Sequence, residues 1–160
     1  MRILFVCLGN ICRSPTAEAV FRKKVEEAGL SAAIQMDSCG TAGYHIGEPP
    51  DQRTMQAARQ RGFDMSMLRG RQVAAADFDH FDLILAMDHA NLRELQRQAD
   101  AGQQHKIQLF LQYGSGAISE QEVPDPYYGG PAGFERVLDL VEDACDGLLE
   151  HVKTAHRKRT

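Results

Sequence analysis

The feature that most constrains the fold is a short apolar run at the N-terminus, followed by a glycine-bearing loop and a helix start. Residues 2–6 are β-branched or apolar after the first position, which predicts a buried strand. After loop 7–13, Ser14-Pro15 predicts a helix with Ser14 as N-cap and Pro15 at the first helical position. Gly29 is expected to end that helix.

The same alternation continues along the chain. Further strands are predicted at 33–38, 81–87 and 106–110, and further helices at 51–61, 88–99 and 133–152. Alternating strands and helices predict an α/β fold with a parallel sheet and right-handed crossovers. We therefore expect a single-domain, three-layer αβα fold with four parallel strands, spanning 1–160, whose residues after about 153 form a frayed tail.

The loop between strand 1 and helix 1 carries the chemistry. Ligands of parallel sheets bind beyond the carboxyl ends of the strands, where this loop lies. Gly9 permits close approach of the backbone to a ligand, and Asn10 tolerates left-handed φ. Successive amides and the helix dipole can hold an anion, and Arg13 can grip two phosphate oxygens. The same positive field favours the thiolate of Cys7 as a nucleophile.

Charge and cysteine content exclude several classes of function. The net charge of -4 leaves no general basic surface for nucleic acid or anionic membrane. No apolar stretch approaches the roughly 20 residues of a membrane span, and the N-terminal apolar run is too short for a signal peptide. The four cysteines lack the spacing of metal ligands, so we expect a cytoplasmic protein without metal or cofactor.

Two blocks of sequence together resemble one family. Val6-Cys-Leu-Gly-Asn-Ile-Cys-Arg-Ser-Pro15 is similar to the Cys-x5-Arg-Ser loop of the low-molecular-weight protein-tyrosine phosphatases. Val123-Pro-Asp-Pro-Tyr-Tyr-Gly129 is similar to the Asp-Pro acid loop of that family. A bare Cys-x5-Arg arises by chance, whereas the two blocks in these positions are specific. The resemblance extends over essentially the whole chain.

The resemblance implies a role for each residue of the site. Cys7 would be the nucleophile that forms a cysteinyl phosphate, and Asp125 would be the general acid and then the base. The remaining expected roles are phosphate binding by Leu8, Gly9, Asn10, Ile11, Cys12, Arg13 and Ser14, a substrate cleft of Tyr44, Tyr127 and Tyr128, and polar support from Asn10, Ser14 and Ser38. It also implies a reversible Cys7–Cys12 disulfide that protects the nucleophile. The expected partners are tyrosine-phosphorylated proteins, a bacterial tyrosine kinase among them, and the protein is expected to be a monomer or weak dimer.

Simpler readings compete with several of these roles. Capping of a helix is a sufficient explanation for Ser14, and the Asp-Pro pair at Asp125 is also a common turn. The three tyrosines can be packing residues, and Cys12 can be a small residue that fills the loop. One departure from the family is Leu68, which stands where relatives often carry a histidine that helps hold the loop asparagine.

Three rival functions remain at the level of sequence. An arsenate reductase would use cysteines downstream in a redox relay, and residues 81–102 contain none. A phosphoarginine phosphatase of the same family would carry threonine at the position of Ile11, which suits an aryl ring better. A phosphate-binding adaptor would not need both Cys7 and Asp125.

Overall fold

The computed structural model describes residues 1–116, 118–127 and 130–159, without the side chain of Arg159. The strands are β1 (Arg2–Cys7), β2 (Gln35–Gly40), β3 (Leu83–Ala86) and β4 (Ile107–Leu109). The helices are α1 (Arg13–Glu27), α2 (Gln52–Gln60), α3 (Asp77–His80), α4 (His89–Gln98) and α5 (Pro131–Arg159), with short 3₁₀ turns at Gln104–Lys106 and Phe110–Tyr113.

The four strands form one parallel sheet in the order β2-β1-β3-β4, which confirms the predicted sheet. The N-terminal strand β1 is therefore internal, with β2 on one side and β3 on the other. Cys7 is its last residue and lies opposite Gly40. This register puts the loop after β1 at the carboxyl edge of the sheet, where ligands of such folds bind.

Alternate side chains of β1 enter two separate hydrophobic cores. Ile3 and Phe5 pack with α1 and α5 on one face of the sheet. Leu4 and Val6 pack on the other face, against Phe78 of α3 and Leu95 of α4 among others. Burial on both faces explains why the strand reads as a continuous apolar run, and it gives the expected three layers.

The start of α1 differs from the prediction. The N-cap is Cys12, whose carbonyl accepts the first helical bond from the Thr16 amide at 3.2 Å, and Ser14 lies inside the first turn. The Ser14 hydroxyl does not cap the helix because it is bonded within the loop, to Cys7 and Asn10. Capping as the explanation for Ser14 was therefore wrong.

The two ends of the last helix also differ from the prediction. Helix α5 begins at Pro131 and continues to Arg159, so the residues expected to form a frayed tail are helical. A run of cations at a helix C-terminus is favourable to the helix dipole, which accounts for the extension. Within the described ranges, none of the helices has the length and apolar character needed to cross a membrane.

Helix α5 passes very close to the turn that follows β4. A Cβ atom built on Gly147 would lie 1.8 Å from the carbonyl oxygen of Tyr113. Contact with that turn and with α1 holds α5 against the sheet. The absence of a side chain at Gly147 is what permits this approach.

Candidate active site

The loop after β1 folds back over the sulfur of Cys7. Asn10 has a φ of 59°, a left-handed conformation that asparagine tolerates better than most residues. Its amide donates to Cys7 Sγ at 3.3 Å, and Ser14 Oγ lies 3.0 Å from the same sulfur. Cys7 Sγ therefore accepts from one backbone amide and contacts one hydroxyl at the N-terminus of α1.

The side chain of Asn10 holds the loop in this shape. Its amide nitrogen donates to Ser14 Oγ at 2.9 Å and to Ser38 Oγ at 3.0 Å. Its carbonyl oxygen accepts the backbone amide of Arg71 at 3.0 Å. Asn10 is 3% exposed, so each of these bonds forms away from water. The structure thus brings together the three residues expected to support the loop.

A second layer of polar residues continues from Ser38. Ser38 Oγ donates to Glu18 Oε1 at 2.6 Å, and Arg22 of the same helix donates to Glu18 Oε2 at 2.8 Å. Glu18 is nearly fully buried. Burial raises the pKa of Glu18 above its ordinary value, although the hydrogen bonds from Ser38 and Arg22 oppose that shift.

Position 68 holds leucine instead of the histidine expected to bind the loop asparagine, and the backbone amide of Arg71 binds Asn10 here. Leu68 is partly buried against the α1–α5 core. The guanidinium of Arg71 binds Asp37 of β2 at 3.0 Å and Asp77 of α3 at 2.9 Å. These ion pairs fix the segment whose backbone amide reaches Asn10. The carbonyl oxygen of Asn10 is therefore satisfied without a histidine.

Arg13 lies in the first turn of α1 and is 4% exposed. Its Nη1 donates to Asp88 Oδ2 at 2.6 Å and to the carbonyl oxygen of Val123 at 3.0 Å. Burial acts to lower the pKa of Arg13, but the negative charge at Cys7 and the bond to Asp88 outweigh it and raise that pKa. Arg13 is therefore a fixed cation beside Cys7.

Asp125 lies on the other side of this arginine. Its Oδ2 is 3.8 Å from Arg13 Nη2, and its side chain is 43% exposed. Its Oδ1 accepts the backbone amide of Tyr127 at 3.0 Å, which makes the Asp-Pro segment a local turn as well. The structure thus brings Cys7, Arg13 and Asp125 to one place.

A cavity of about 210 Å³ opens above the loop. Its walls include the loop residues Leu8, Ile11 and Cys12 and the aromatic side chains of Tyr44 and Tyr127. Tyr44 is 73% exposed and Tyr127 is 37% exposed, so both stand at the rim rather than in a core. Tyr128, the third expected cleft residue, lies outside the described residues.

The cysteines differ in their surroundings. All four are unpaired. Burial raises the pKa of the Cys12 thiol to about 12, although the neighbouring Thr54 acts to lower it. Burial also raises the pKa of Cys39 and of Cys145 well above the ordinary value. These three thiols are therefore protonated near neutral pH, and the Cys7–Cys12 disulfide stays a prediction.

Several residues of the site were not predicted from the sequence. His45 lines the cavity and approaches Gly9, where an added Cβ would lie 3.0 Å from the imidazole ring. Arg53 donates to the carbonyl oxygen of Tyr127 at 3.0 Å and lies over its ring. Asp88 was predicted as the start of a helix, which it caps, but its bond to Arg13 was not predicted.

Sequence comparison relates the chain to one family over nearly its full length. Residues 2–158 match the family described as low molecular weight phosphotyrosine protein phosphatase. A Schizosaccharomyces pombe protein named low molecular weight phosphotyrosine protein phosphatase is 49% identical over 153 residues, covering 95% of this chain and 97% of the yeast protein.

Structural comparison gives the same relationship. A crystal structure of a protein tyrosine phosphatase from Entamoeba histolytica superposes with a TM-score of 0.94 at 42% identity, covering 98% of this chain and 99% of that one. A structure described as a Drosophila arginine phosphatase superposes with a TM-score of 0.87 at 35% identity, covering 96% of this chain and 98% of that one. The fold alone therefore does not separate these two substrate classes.

Proposed function

Because the chain belongs to the low molecular weight phosphotyrosine protein phosphatase family, we propose that it hydrolyses phosphotyrosine in proteins through a cysteinyl phosphate. The observation that carries this proposal is the convergence of Cys7, Arg13 and Asp125 on one aromatic-rimmed cavity. Each of the three has the chemistry that one step of phosphoryl transfer requires.

The first step transfers the phosphoryl group to sulfur. The Cys7 thiolate attacks phosphorus in line with the tyrosine oxygen, so an S–P bond forms as the P–O bond to tyrosine breaks. Asp125, in its protonated form, donates its proton to the departing oxygen and leaves neutral tyrosine. Positioned acids of this kind contribute about 10²–10⁴-fold to a rate.

The second step regenerates the thiolate. Asp125, now a carboxylate, takes a proton from water, and the resulting hydroxide attacks phosphorus as the S–P bond breaks. Ser14 is placed 3.0 Å from the sulfur to donate to the departing thiolate. Asn10 donates to the Ser14 oxygen, so the single Ser14 hydrogen can be shared between the carbonyl oxygen of Cys39, 3.3 Å away, and the sulfur.

Arg13 holds the phosphoryl group throughout. Both hydrogens of Nη1 are used by Asp88 and by the carbonyl oxygen of Val123. These bonds fix the plane of the guanidinium, so that Nη2 and Nε can bind two phosphate oxygens. A lysine cannot supply this paired geometry. The loop amides from Leu8 to Ser14 would bind the remaining charge of the phosphate.

Phosphoarginine is the rival substrate. Ile11 lines the cavity, where the family resemblance implies threonine in phosphoarginine phosphatases. An apolar side chain at this position and two tyrosines at the rim favour an aryl ring over a guanidinium group. Parallel assays on a phosphotyrosine peptide and a phosphoarginine peptide separate the two, and faster hydrolysis of phosphoarginine would contradict the proposal.

The test of the proposed function is hydrolysis of p-nitrophenyl phosphate and of a phosphotyrosine peptide by the reduced protein. We expect turnover by the wild type and none by Cys7→Ser, because a serine hydroxyl at neutral pH is a far weaker nucleophile than a thiolate. Cys145→Ser is the matched control, since Cys145 is buried between α1 and α5 away from the cavity. Turnover by Cys7→Ser at the wild-type rate would exclude the cysteinyl phosphate.

A further inference from the structure

A polar contact between Glu122 and His89 lies one residue away from Asp88 and Val123, the two residues that bind Arg13 Nη1. Glu122 Oε2 accepts the backbone amide of His89 at 2.8 Å and lies 3.1 Å from Nδ1 of its imidazole. His89 directly follows Asp88, and Glu122 directly precedes Val123. The two residues that bind Arg13 Nη1, Asp88 and Val123, are therefore each next in sequence to one partner of the Glu122–His89 contact.

The backbone reinforces the same junction. The Val123 amide donates to the Met87 carbonyl oxygen at 2.8 Å, and Val123 is fully buried. Together with the Glu122–His89 contact, this bond ties the segment that carries Asp125 to the N-terminus of α4. Val123 therefore presents its carbonyl oxygen to Arg13 directly after two points of attachment, at Glu122 and at its own amide.

This contact differs from an ordinary surface ion pair. Exposed pairs contribute little to stability, and both side chains here are at least 41% exposed. In this case, however, one carboxylate oxygen accepts from the first amide of a helix, where the helix dipole favours negative charge. The bonds to the His89 amide and imidazole lower the pKa of Glu122, so this carboxylate is ionised at neutral pH.

We propose that Glu122 is a positioning residue that, through His89, holds the Asp125 segment at the correct distance from the phosphate on Arg13. We call this contact the Glu122–His89 latch. This inference rests on the proposed function, because it assigns Asp125 the role of general acid. The latch touches no reacting atom, and it acts by keeping Asp125 within reach of the leaving oxygen.

The test compares kcat/KM for two substrates that differ in their need for an acid. Phenyl phosphate releases a basic phenolate that requires protonation, whereas p-nitrophenyl phosphate releases a stable phenolate that requires little. Because a displaced acid forfeits part of its contribution, we expect Glu122→Ala to lose about 10-fold on phenyl phosphate and less than about 3-fold on p-nitrophenyl phosphate. Glu122→Gln keeps an oxygen acceptor for the His89 amide and should recover most of the loss.

Three further variants make the outcome decisive. Asp125→Asn should show the same inequality between substrates, only larger, and Glu94→Ala should show none, because Glu94 pairs with Arg97 within α4. His89→Ala removes the imidazole but keeps the backbone amide that Glu122 accepts. If Glu122→Ala folds poorly, His89→Ala replaces it, and we expect it to lose more kcat/KM on phenyl phosphate than on p-nitrophenyl phosphate, by a smaller factor.

The outcomes distinguish this inference from the proposed function. An inactive wild type would overturn the proposed function, and equal losses on the two substrates in Asp125→Asn would overturn the assignment of the acid. An active wild type in which Glu122→Ala loses equally on both substrates, or loses nothing, would overturn the latch alone.

Discussion

Asn10 joins an unusual backbone conformation to three side-chain bonds. Its left-handed φ costs an L-residue without such bonds about 1 kcal/mol, a cost that glycine does not bear. Asn10→Gly and Asn10→Ala both delete the bonds to Ser14, Ser38 and Arg71, but only the alanine variant also bears the backbone strain. We expect both variants to lose kcat/KM by about 10-fold or more, since positioning of Ser14 and of the loop is lost in each.

The free energy of unfolding separates the backbone strain at position 10 from the loss of the side-chain bonds. Urea unfolding should show Asn10→Gly to be more stable than Asn10→Ala by about 1 kcal/mol. If Asn10→Gly kept wild-type activity, the backbone conformation alone would be sufficient and the side-chain bonds would have no part in catalysis.

Glu18 predicts a pH dependence of stability. Its pKa is raised mainly by burial, so the folded state binds more protons than the unfolded state between the ordinary glutamate value and the folded value. The contribution of Glu18 therefore favours folding at low pH and is lost as pH rises through the folded pKa. Glu18→Gln removes this titration, so the variant should gain stability relative to the wild type as pH rises across that window. Urea unfolding at a series of pH values measures the difference, and parallel curves would contradict the prediction.

The sequence predicted the candidate reacting residues and the polar residues of the loop network, Asn10, Ser14 and Ser38, but not the ion pairs that hold Arg13 and Arg71. Cys7, Arg13 and Asp125 stand in two short local motifs, so their positions could be predicted. No local sequence pattern predicts contacts between residues that are far apart in the chain. The pairs Glu18–Ser38, Asp88–Arg13 and Arg71–Asn10 are separated by 20, 75 and 61 residues. For Ser14 only the N-cap prediction was wrong, because its hydroxyl is engaged by Cys7 and Asn10 once the loop is folded.

At the scale of elements, the close approach of α5 to the turn at Tyr113 gives a sharp prediction. Gly147→Ala would place Cβ 1.8 Å from a carbonyl oxygen, so the helix or the turn must move. We expect a loss of about 3 kcal/mol in the free energy of unfolding. Gly133→Ala is the matched control in the same helix, because its Cβ would meet Pro126 at an ordinary 3.7 Å.

Chemical denaturation of the two glycine variants measures this difference. Gly133→Ala should be neutral or stabilised by about 0.5 kcal/mol, since alanine favours a helix over glycine. Equal stability of the Gly147 and Gly133 variants would mean that the turn at Tyr113 moves away without loss of free energy of unfolding.

Elements with a strong pattern were predicted, whereas short elements were missed or given the wrong length. The central strands are bounded by loops and are apolar apart from Arg2, and Asp51 and Asp88 cap their helices as sequence rules require. Helix α3 has four residues, too few for a period to be visible. Strand β4 is three residues long and was predicted longer, because its apolar neighbours Phe110 and Leu111 continue the pattern into a turn.

At the scale of the whole molecule, the groups around Arg13 come from three distant parts of the chain: the loop after β1, the N-terminus of α4, and the segment that carries Val123 and Asp125. A ligand that binds this assembly stabilises the folded state. Inorganic phosphate at 100 times its dissociation constant should raise the free energy of unfolding by about 2.7 kcal/mol, visible as a higher melting temperature.

Arg13→Lys provides the control for this measurement. It keeps the charge but loses the paired hydrogen bonds, so the shift caused by phosphate should shrink markedly. Sodium chloride at equal ionic strength accounts for screening. An equal shift in the wild type and in Arg13→Lys would place phosphate elsewhere on the protein.

The internal position of β1 has a consequence for synthesis on the ribosome. The strand that ends in Cys7 leaves the exit tunnel well before its neighbour β3, which follows only at Leu83–Ala86. Asp88 and Val123, which hold Arg13, emerge later still. A nascent chain thus carries Cys7 well before the residues that hold Arg13, so we expect it to bind phosphate only after the segment with Val123 has been synthesised.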